Sequence, residues 1–387
     1  MLVIAFKRWL VILLLACFIV PGVSTNVHAQ DDLDFQELLS PVDSTGIFET
    51  PGYYTWCSSV IKGEDGKYHM FYSRWPHGVR PLDDDSMNYI FNGFRGWCKY
   101  SEIAYAVSEK LNGPYRFVKI ILKGTGEEGR WDRFTMHNPQ VRKFNGRYYL
   151  YYISNSFDTT LTFKSEAKMS RDWKHWLKYN CTQKIGVISA GSIEDLVNDR
   201  FTKPAGPLMQ PDNVNTFEVT TNPTVCKGPD GKYYMMYKSR KPEVGNMTFW
   251  MAKSDHPDGP FTQVGEVFTS AEMACEDPCI WFDNQRRRFY AAVKYYSQSG
   301  AIVKQFGALA LITSVDGLHW EKARHPLISL RELQMANGLN IKLAYLERPF
   351  IVTGSGGQPL ALFAAAAIKE PGDLNNTFNV CIPIRKK

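Results

Sequence analysis

Polar and charged side chains recur just before apolar, β-branched runs in this 387-residue sequence. Carboxylates, amides and arginine bind sugar hydroxyls through paired hydrogen bonds, and aromatic rings stack on the apolar faces of sugars. Hydrolysis of a glycosidic bond also needs two carboxyl groups, one protonated and one ionised. The pattern therefore indicates a carbohydrate site. Its five copies, which we call the heads, are Trp56-Cys57, His137-Asn138, Thr221-Asn222, Glu276-Asp277 and Glu347-Arg348.

The catalytic carboxyl groups are predicted at two heads, as Asp277 and Glu347, with Asp132 and Glu218 in reserve. A carboxylate before a strand is more often a turn former or an ion-pair partner, but these two occupy the repeated position. The two adjacent acids of the fourth head repel, which could raise one pKa there. His137 could equally be a structural hydrogen-bonding group, and Trp56 could simply plug a channel. The predicted substrate-binding residues are Trp56, His137, Asn138, Asn222, Glu276 and Arg348.

Each head begins a hairpin: a β-branched strand, a tight turn and an aromatic strand. The turns are Asp65-Gly66, Asn145-Gly146, Asp230-Gly231, Asp283-Asn284 and Gly356-Gly357. A third strand follows at least four of the hairpins, and only short stretches such as 330–336 could form a helical turn. Five such repeats predict an all-β, five-bladed β-propeller, because radial repetition leaves few exposed sheet edges. Two tandem β-sandwiches are the alternative. In a propeller the innermost strands converge, so the heads would surround one mouth of the axial channel.

The N-terminal segment has the layout of a secretory signal. Lys7 and Arg8 precede an uncharged apolar run over 9–20, and Ala29 offers a small residue for cleavage. We expect a signal peptide over 1–29, one propeller domain over 30–387, and a periplasmic or secreted bacterial protein. Lipid attachment at Cys17 and a retained membrane anchor are less favoured. The stretch 377–384 is predicted to be the last strand, which closes the ring.

Composition and cysteine spacing argue against a nucleic-acid-binding protein and against a zinc site. Charged residues make up 22% of the chain and the net charge is +6, but no Lys/Arg run is long enough for a nucleic-acid surface. Seven cysteines follow the leader, an odd number, so at least one is free. Their spacing does not indicate zinc, and buried apolar cysteines are expected. No cofactor is predicted. The sequence does not determine the sugar, its linkage or the oligomeric state. It also does not determine whether a calcium or sodium ion binds on the axis.

The heads NPQV, NPTV and DPCI resemble the repeated Asp-Pro heads of five-bladed propeller glycoside hydrolases, the broad group around families 43, 32 and 117. WDRFTMHNPQVRKFNGRYYLYY (131–152) resembles the second blade of family 117, and EDPCIWFDNQRRRFY (276–290) resembles the blade with its pKa-modulating aspartate, here Asp277. The resemblance implies an exported, exo-acting glycoside hydrolase for a plant or algal glycan.

Two departures from that resemblance matter. Trp56-Cys57 stands where these families have a catalytic aspartate, and Glu347-Arg348 stands where family 117 has a histidine acid. A glutamate in an apolar pocket could replace that acid. The missing base has no such simple substitute, with Glu49, Asp132 and Glu218 as candidates only. A non-catalytic glycan-binding propeller is therefore the alternative. A polysaccharide lyase that uses His137 or a tyrosine, with an arginine to neutralise the substrate's charge, is a more distant one.

Overall fold

The computed structural model describes residues 32–78, 91–162, 168–241, 247–368 and 377–385. Five antiparallel sheets form the predicted five-bladed β-propeller. Blade 1 contains β2 (Tyr53–Lys62), β3 (Tyr68–Pro76), β4 (Glu102–Ser108) and β5 (Arg116–Leu122); blade 2 contains β6 (Met136–Phe144), β7 (Arg147–Ser154) and β8 (Lys184–Ala190). Blade 3 contains β9 (Phe217–Lys227), β10 (Tyr233–Arg240), β11 (Met247–Ser254) and β12 (Thr262–Glu266); blade 4 contains β13 (Cys275–Asp283), β14 (Arg288–Tyr295), β15 (Leu309–Ser314) and β16 (Glu321–Ser329). Blade 5 contains β19 (Tyr345–Thr353), β20 (Pro359–Ala367), β21 (Thr377–Pro383) and the N-terminal β1 (Ile47–Phe48).

The five inner strands contact one another in ring order: β2, β6, β9, β13, β19 and again β2. Side chains two residues after a head bind the neighbouring blade. Ser59 Oγ accepts from the Val141 backbone N–H at 3.1 Å, and Thr224 Oγ1 accepts from that of Ile280 at 3.0 Å. These bonds satisfy buried backbone donors that face another sheet rather than their own. They also fix the height of the first head relative to the second, and of the third relative to the fourth.

The stretch 377–384 contains the last strand of the chain, as predicted, but its pairing with a strand from the N-terminal region was not predicted. That stretch forms β21, the third strand of blade 5, and β1 from the other end of the chain is its outer neighbour, with Ile47 opposite Val380. Phe48 is buried against Tyr72, with ring centroids 4.9 Å apart. Because blade 5 is completed by both ends of the domain, unpairing β1 would expose an edge.

Two local features differ from what the sequence analysis expected. The stretch 330–336 contains a strand rather than a helical turn: β17 (Glu332–Gln334) pairs with β18 (Asn340–Lys342). Conversely, blade 2 carries an unpredicted ten-residue helix between β7 and β8, where the Ser170 hydroxyl accepts from the Trp173 N–H at 3.2 Å as an N-cap. The α-helices that lie wholly within the described residues are α1 (Phe35–Leu38), α2 (Trp97–Tyr100), α3 (Arg171–Asn180) and α4 (Ile193–Val197).

The compact unit runs from Asp32 to Lys387. Its seven cysteines are all buried and unbridged, as expected for small apolar residues. Within the described ranges, no helix has the length and apolar character needed to span a bilayer. The predicted signal peptide lies outside the described residues, and export stays a prediction.

Candidate active site

Each head lies at a β-bulge of its inner strand. The strand registers shift at the heads, and the second residue of every head has a left-handed backbone: φ is 54° at Cys57, 54° at Asn138, 53° at Asn222, 59° at Asp277 and 55° at Arg348. Proline follows in four of the five, which suits a bulge because it has no N–H to pair. Bulges re-aim side chains, and here they direct five side chains toward the axis.

The left-handed backbone predicts an unusual order of stabilities at Asn222. Replacement by Gly or Ala removes the same amide, but only Gly adopts a positive φ without cost. Asn222→Gly should therefore be more stable than Asn222→Ala by about 1 kcal/mol, as measured by urea unfolding. At Ala291, in the regular part of β14, a glycine should instead be the less stable residue. Equal stability of the two Asn222 variants would contradict the bulge geometry.

The five re-aimed side chains form a polar chain across the axis. Cys57 Sγ lies 3.0 Å from the Asn138 amide, which lies 2.6 Å from the Asn222 amide, and Asn222 Nδ2 donates to Asp277 Oδ1 at 2.9 Å. Arg348 Nη1 completes the chain with an ion pair to Asp277 at 3.0 Å. These residues line an axial cavity of about 30 Å³, enough for a water molecule.

The axial residues do not fit a calcium ion. Calcium takes six to eight oxygen ligands, whereas Asp277 is the one carboxylate among the lining residues and already pairs with Arg348. The guanidinium would repel a second cation at the same place. Nowhere in the described ranges do three or more His, Cys, Asp or Glu side chains form a group that could hold a metal.

Beside the axial chain lies a row of four buried charges, which we call the charge tetrad: Lys238, Glu276, Lys294 and Glu347. Lys238 extends from β10 to Glu276 of the next blade, and Lys294 extends from β14 to Glu347 of the following one. Lys294 Nζ also lies 3.4 Å from Glu276 Oε2, so it bridges the two carboxyl groups. The exposed fractions of these side chains are only 8–19%, and at such depth paired charges interact strongly.

The tetrad shifts the pKa values of its two carboxyl groups in opposite directions. Burial disfavours the charge on Glu276, but the ammonium groups of Lys238 and Lys294 outweigh it and lower the pKa of Glu276 to about 2. For Glu347, burial dominates and raises the pKa, aided by the charge of Asp277 and opposed by Lys294. A pair of carboxyl groups with pKa values driven apart is the arrangement that acid–base catalysis requires.

His137 lies on the opposite side of the axis under an aromatic cover. Its ring stacks on Trp97, with centroids 4.9 Å apart, and its Nδ1 lies 2.8 Å from Ser101 Oγ. Burial and the charge of Arg348 hold the pKa of His137 well below its usual value. The imidazole is therefore neutral and is positioned by Trp97 and Ser101.

The structure brings together seven of the predicted site residues: His137, Asn138, Asn222, Glu276, Asp277, Glu347 and Arg348. Trp56 is 2% exposed and packs on Phe94. It is therefore a core residue within the first head, and its ring is not accessible to a substrate. Asp132 is fully buried away from the axis, where Arg130 and Lys203 hold its carboxylate. Glu218, three residues before the third head, pairs with Arg240 at 2.9 Å. Neither reserve carboxylate lines the axial cavity.

Sequence reasoning missed Lys238 and Lys294. Both lie on second strands, and each forms its main ion pair with a different blade. A signal was present nonetheless: each is a lysine within an otherwise apolar, aromatic strand, and lysine is almost never buried unless it is paired.

No protein-family model matches the chain. One curated relative is the extracellular endo-α-(1→5)-L-arabinanase 2 of Bacillus subtilis (strain 168), 25% identical over 217 residues, or 53% of this chain and 36% of the relative. The chain thus matches about a third of the length of this relative.

Solved structures with the same architecture cover almost the whole chain. A family 117 glycoside hydrolase from Zobellia galactanivorans has a TM-score of 0.55 at 14% identity, covering 89% of each chain. An α-L-arabinofuranosidase from Lactobacillus brevis has a TM-score of 0.52 at 13% identity, covering 91% of this chain and 94% of the other. An endo-arabinase from Bacteroides thetaiotaomicron VPI-5482 has a TM-score of 0.51 at 11% identity, covering 90% and 98%. The chain therefore shares the five-bladed propeller fold of these glycoside hydrolases.

Proposed function

We propose that the protein is an exported glycoside hydrolase that cleaves a plant or algal glycan. The observation that carries this proposal is the pair Glu276 and Glu347, two buried carboxyl groups that share the ammonium of Lys294 and have opposite pKa shifts. Because both contact one nitrogen, their nearer oxygens lie within roughly 6 Å, about two hydrogen-bond lengths. Carboxyl groups at such separations can act on one glycosidic bond.

In this proposal Glu347 is the general acid and Glu276 the ionised partner. Glu347 gives its proton to the glycosidic oxygen as the bond from that oxygen to the anomeric carbon breaks. Glu276 stabilises the positive charge on the sugar. It then either attacks the anomeric carbon, forming a glycosyl ester that water hydrolyses with Glu347 as the base, or takes a proton from water that attacks the anomeric carbon directly. Asp277, which sequence analysis placed among the catalytic carboxyl groups, is assigned a positioning role, since it holds Arg348 and Asn222.

The proposed substrates are glycans with terminal arabinofuranose or a related sugar, in line with the names of the similar arabinanase and arabinofuranosidase. We propose exo-action because the side chains of Glu276 and Glu347 are only 19% and 13% exposed, and a chain end reaches such buried groups more easily than a chain middle. The apolar leader supports export.

A glycan-binding propeller without catalysis is the second candidate function. One observation favours it: Cys57 occupies the first head, and burial raises the pKa of its thiol far above the usual value. The thiol therefore stays protonated and does not serve as a nucleophile, so the first blade supplies neither acid nor base.

The experiment that separates the two functions is incubation of the mature protein with a glycan panel. The panel contains α-1,5-arabino-oligosaccharides, xylo-oligosaccharides, algal galactan oligosaccharides and 4-nitrophenyl glycosides. We expect the protein to release a single small sugar from at least one member of the panel, as detected by chromatography. NMR of the first product then shows its anomeric configuration. Binding of a glycan by calorimetry with no product released would overturn the hydrolase in favour of the binding protein.

A further inference from the structure

An exposed aromatic pair stands directly beside the charge tetrad. Tyr296 follows β14, the strand that carries Lys294, and is 46% exposed; Phe306, near the end of the same loop, is 37% exposed. Their ring centroids are 5.1 Å apart with planes at 45°. A contiguous exposed apolar patch is a common feature of binding sites.

The ring of Tyr296 is tied to the tetrad by cation–π contacts. Lys294 Nζ lies 5.0 Å from its centroid, and Lys238 Nζ lies 5.9 Å away. The charge of Glu276 raises the pKa of Tyr296, a further sign that the phenol lies close to that carboxylate. A molecule resting on this ring would therefore have its next unit at Glu276 and Glu347.

The loop that presents the pair is held firmly. The Tyr296 backbone N–H donates to Ala274 O at 2.9 Å. Inside the loop, the hydroxyl of buried Tyr295 accepts from the Ala301 N–H at 2.9 Å and lies 2.7 Å from Ser299 Oγ. The backbone carbonyl of Tyr295 accepts from the Gly307 N–H at 2.8 Å, and this bond joins the two ends of the loop. The aromatic pair is thus preorganised, which reduces the entropic cost of binding.

We propose that Tyr296 and Phe306 form a sugar-stacking subsite adjacent to the charge tetrad. Its ligand is a neutral sugar unit of a glycan chain, packed through its C–H face on the ring of Tyr296 while its hydroxyl groups face the lysines and glutamates. This inference rests on the proposed carbohydrate substrate. It assigns the residue that positions the sugar next to the scissile bond.

The test measures affinity for the oligosaccharides of the panel by calorimetry, in the Glu347→Gln background so that no ligand is consumed. Tyr296→Ala should weaken binding about tenfold, the scale of one aromatic contact, whereas Tyr296→Phe keeps the ring and should stay within about twofold. Phe117→Ala is the matched control, because Phe117 is also exposed, at 43%, but lies on the outer strand of blade 1. It should bind like the parent.

The outcomes separate the subsite from the hydrolase. Tyr296→Ala binding at parental affinity overturns the subsite, even if the wild-type protein cleaves the glycan. An equal loss in the Phe variant also overturns it, because the phenol oxygen would then be responsible. Affinity lost in the Ala variant of a protein that cleaves nothing supports the subsite and overturns the hydrolase. A wild-type protein that neither binds nor cleaves any member overturns both.

Discussion

Glu347→Gln should lower turnover at least ~100-fold on glycans with a poor leaving group, the scale of a lost general acid. Glutamine keeps the shape of the side chain but has no proton to give to the glycosidic oxygen. The loss should largely disappear on an aryl glycoside whose acidic phenol leaves without protonation. Initial rates of the wild type and the variant on both substrate types check this expectation.

Controls for Glu347→Gln distinguish acid catalysis from a general disturbance. Glu321→Gln makes the same change at a carboxyl group that is 68% exposed on β16, and it should keep wild-type rates. If Glu347→Gln is equally slow on both substrate types, the group is not the acid. If it is as active as the wild type on all glycans, the assignment of the site is wrong.

The pH dependence follows from the direction of each pKa shift. Glu347 acts only while protonated, and its raised pKa extends that state upward, so kcat/KM should fall as the pH rises through it. Glu276, with a pKa of about 2, stays ionised over the working range. It should therefore produce no loss of activity on mild acidification. On aryl glycosides, kcat/KM of Glu347→Gln should not fall at high pH, because the titrating acid is absent. A fall that persists in this variant would come from another group.

The heads show why much of this site is readable from sequence. A bulge needs a residue that tolerates positive φ, and the chain marks four of the five with a following proline. That local requirement repeats in every blade, so pattern alone located the inner strands and their order. Glu276 and Glu347 could be named because they belong to the repeated unit.

The missing parts depend on contacts between blades. Lys238 binds the carboxylate of blade 4, and Lys294 that of blade 5, so neither pairing follows from a single repeat. The two-residue β1 is too short to show strand periodicity, and it forms only because Val380 and Asn379 offer an unpaired edge. Asp132 was predicted as a site residue from the sequence. In the structure its carboxylate instead forms an ion pair with Lys203, which is distant in sequence.

Lys294→Met should destabilise the fold by about 3–5 kcal/mol, the cost of removing one partner from a buried charge pair. The ammonium is 8% exposed and bridges Glu276 and Glu347, so its loss leaves two neighbouring buried carboxyl groups without their shared cation. Lys232→Met is the matched control, because Lys232 and Asp255 pair at the surface with 43% and 72% exposure, and it should cost less than about 1 kcal/mol. Urea unfolding at neutral pH measures both, and equal losses would show that the tetrad does not carry stability.

The destabilisation caused by Lys294→Met should also depend on pH in a defined direction. Without Lys294, burial and the charge of Asp277 raise the pKa of Glu347 unopposed, so the folded variant holds a proton that the unfolded chain, with a glutamate pKa of about 4.3, releases. A group whose pKa is raised by folding loses its stabilising contribution as the pH rises. The free energy of unfolding of Lys294→Met should be closest to that of the wild type below about pH 4.3, and the difference between the two should grow toward neutral pH. Adding Glu347→Gln should remove most of this pH dependence, because the titrating group is then absent. A deficit that is constant with pH would mean that lost packing of the lysine stem, rather than unpaired charge, destabilises the variant.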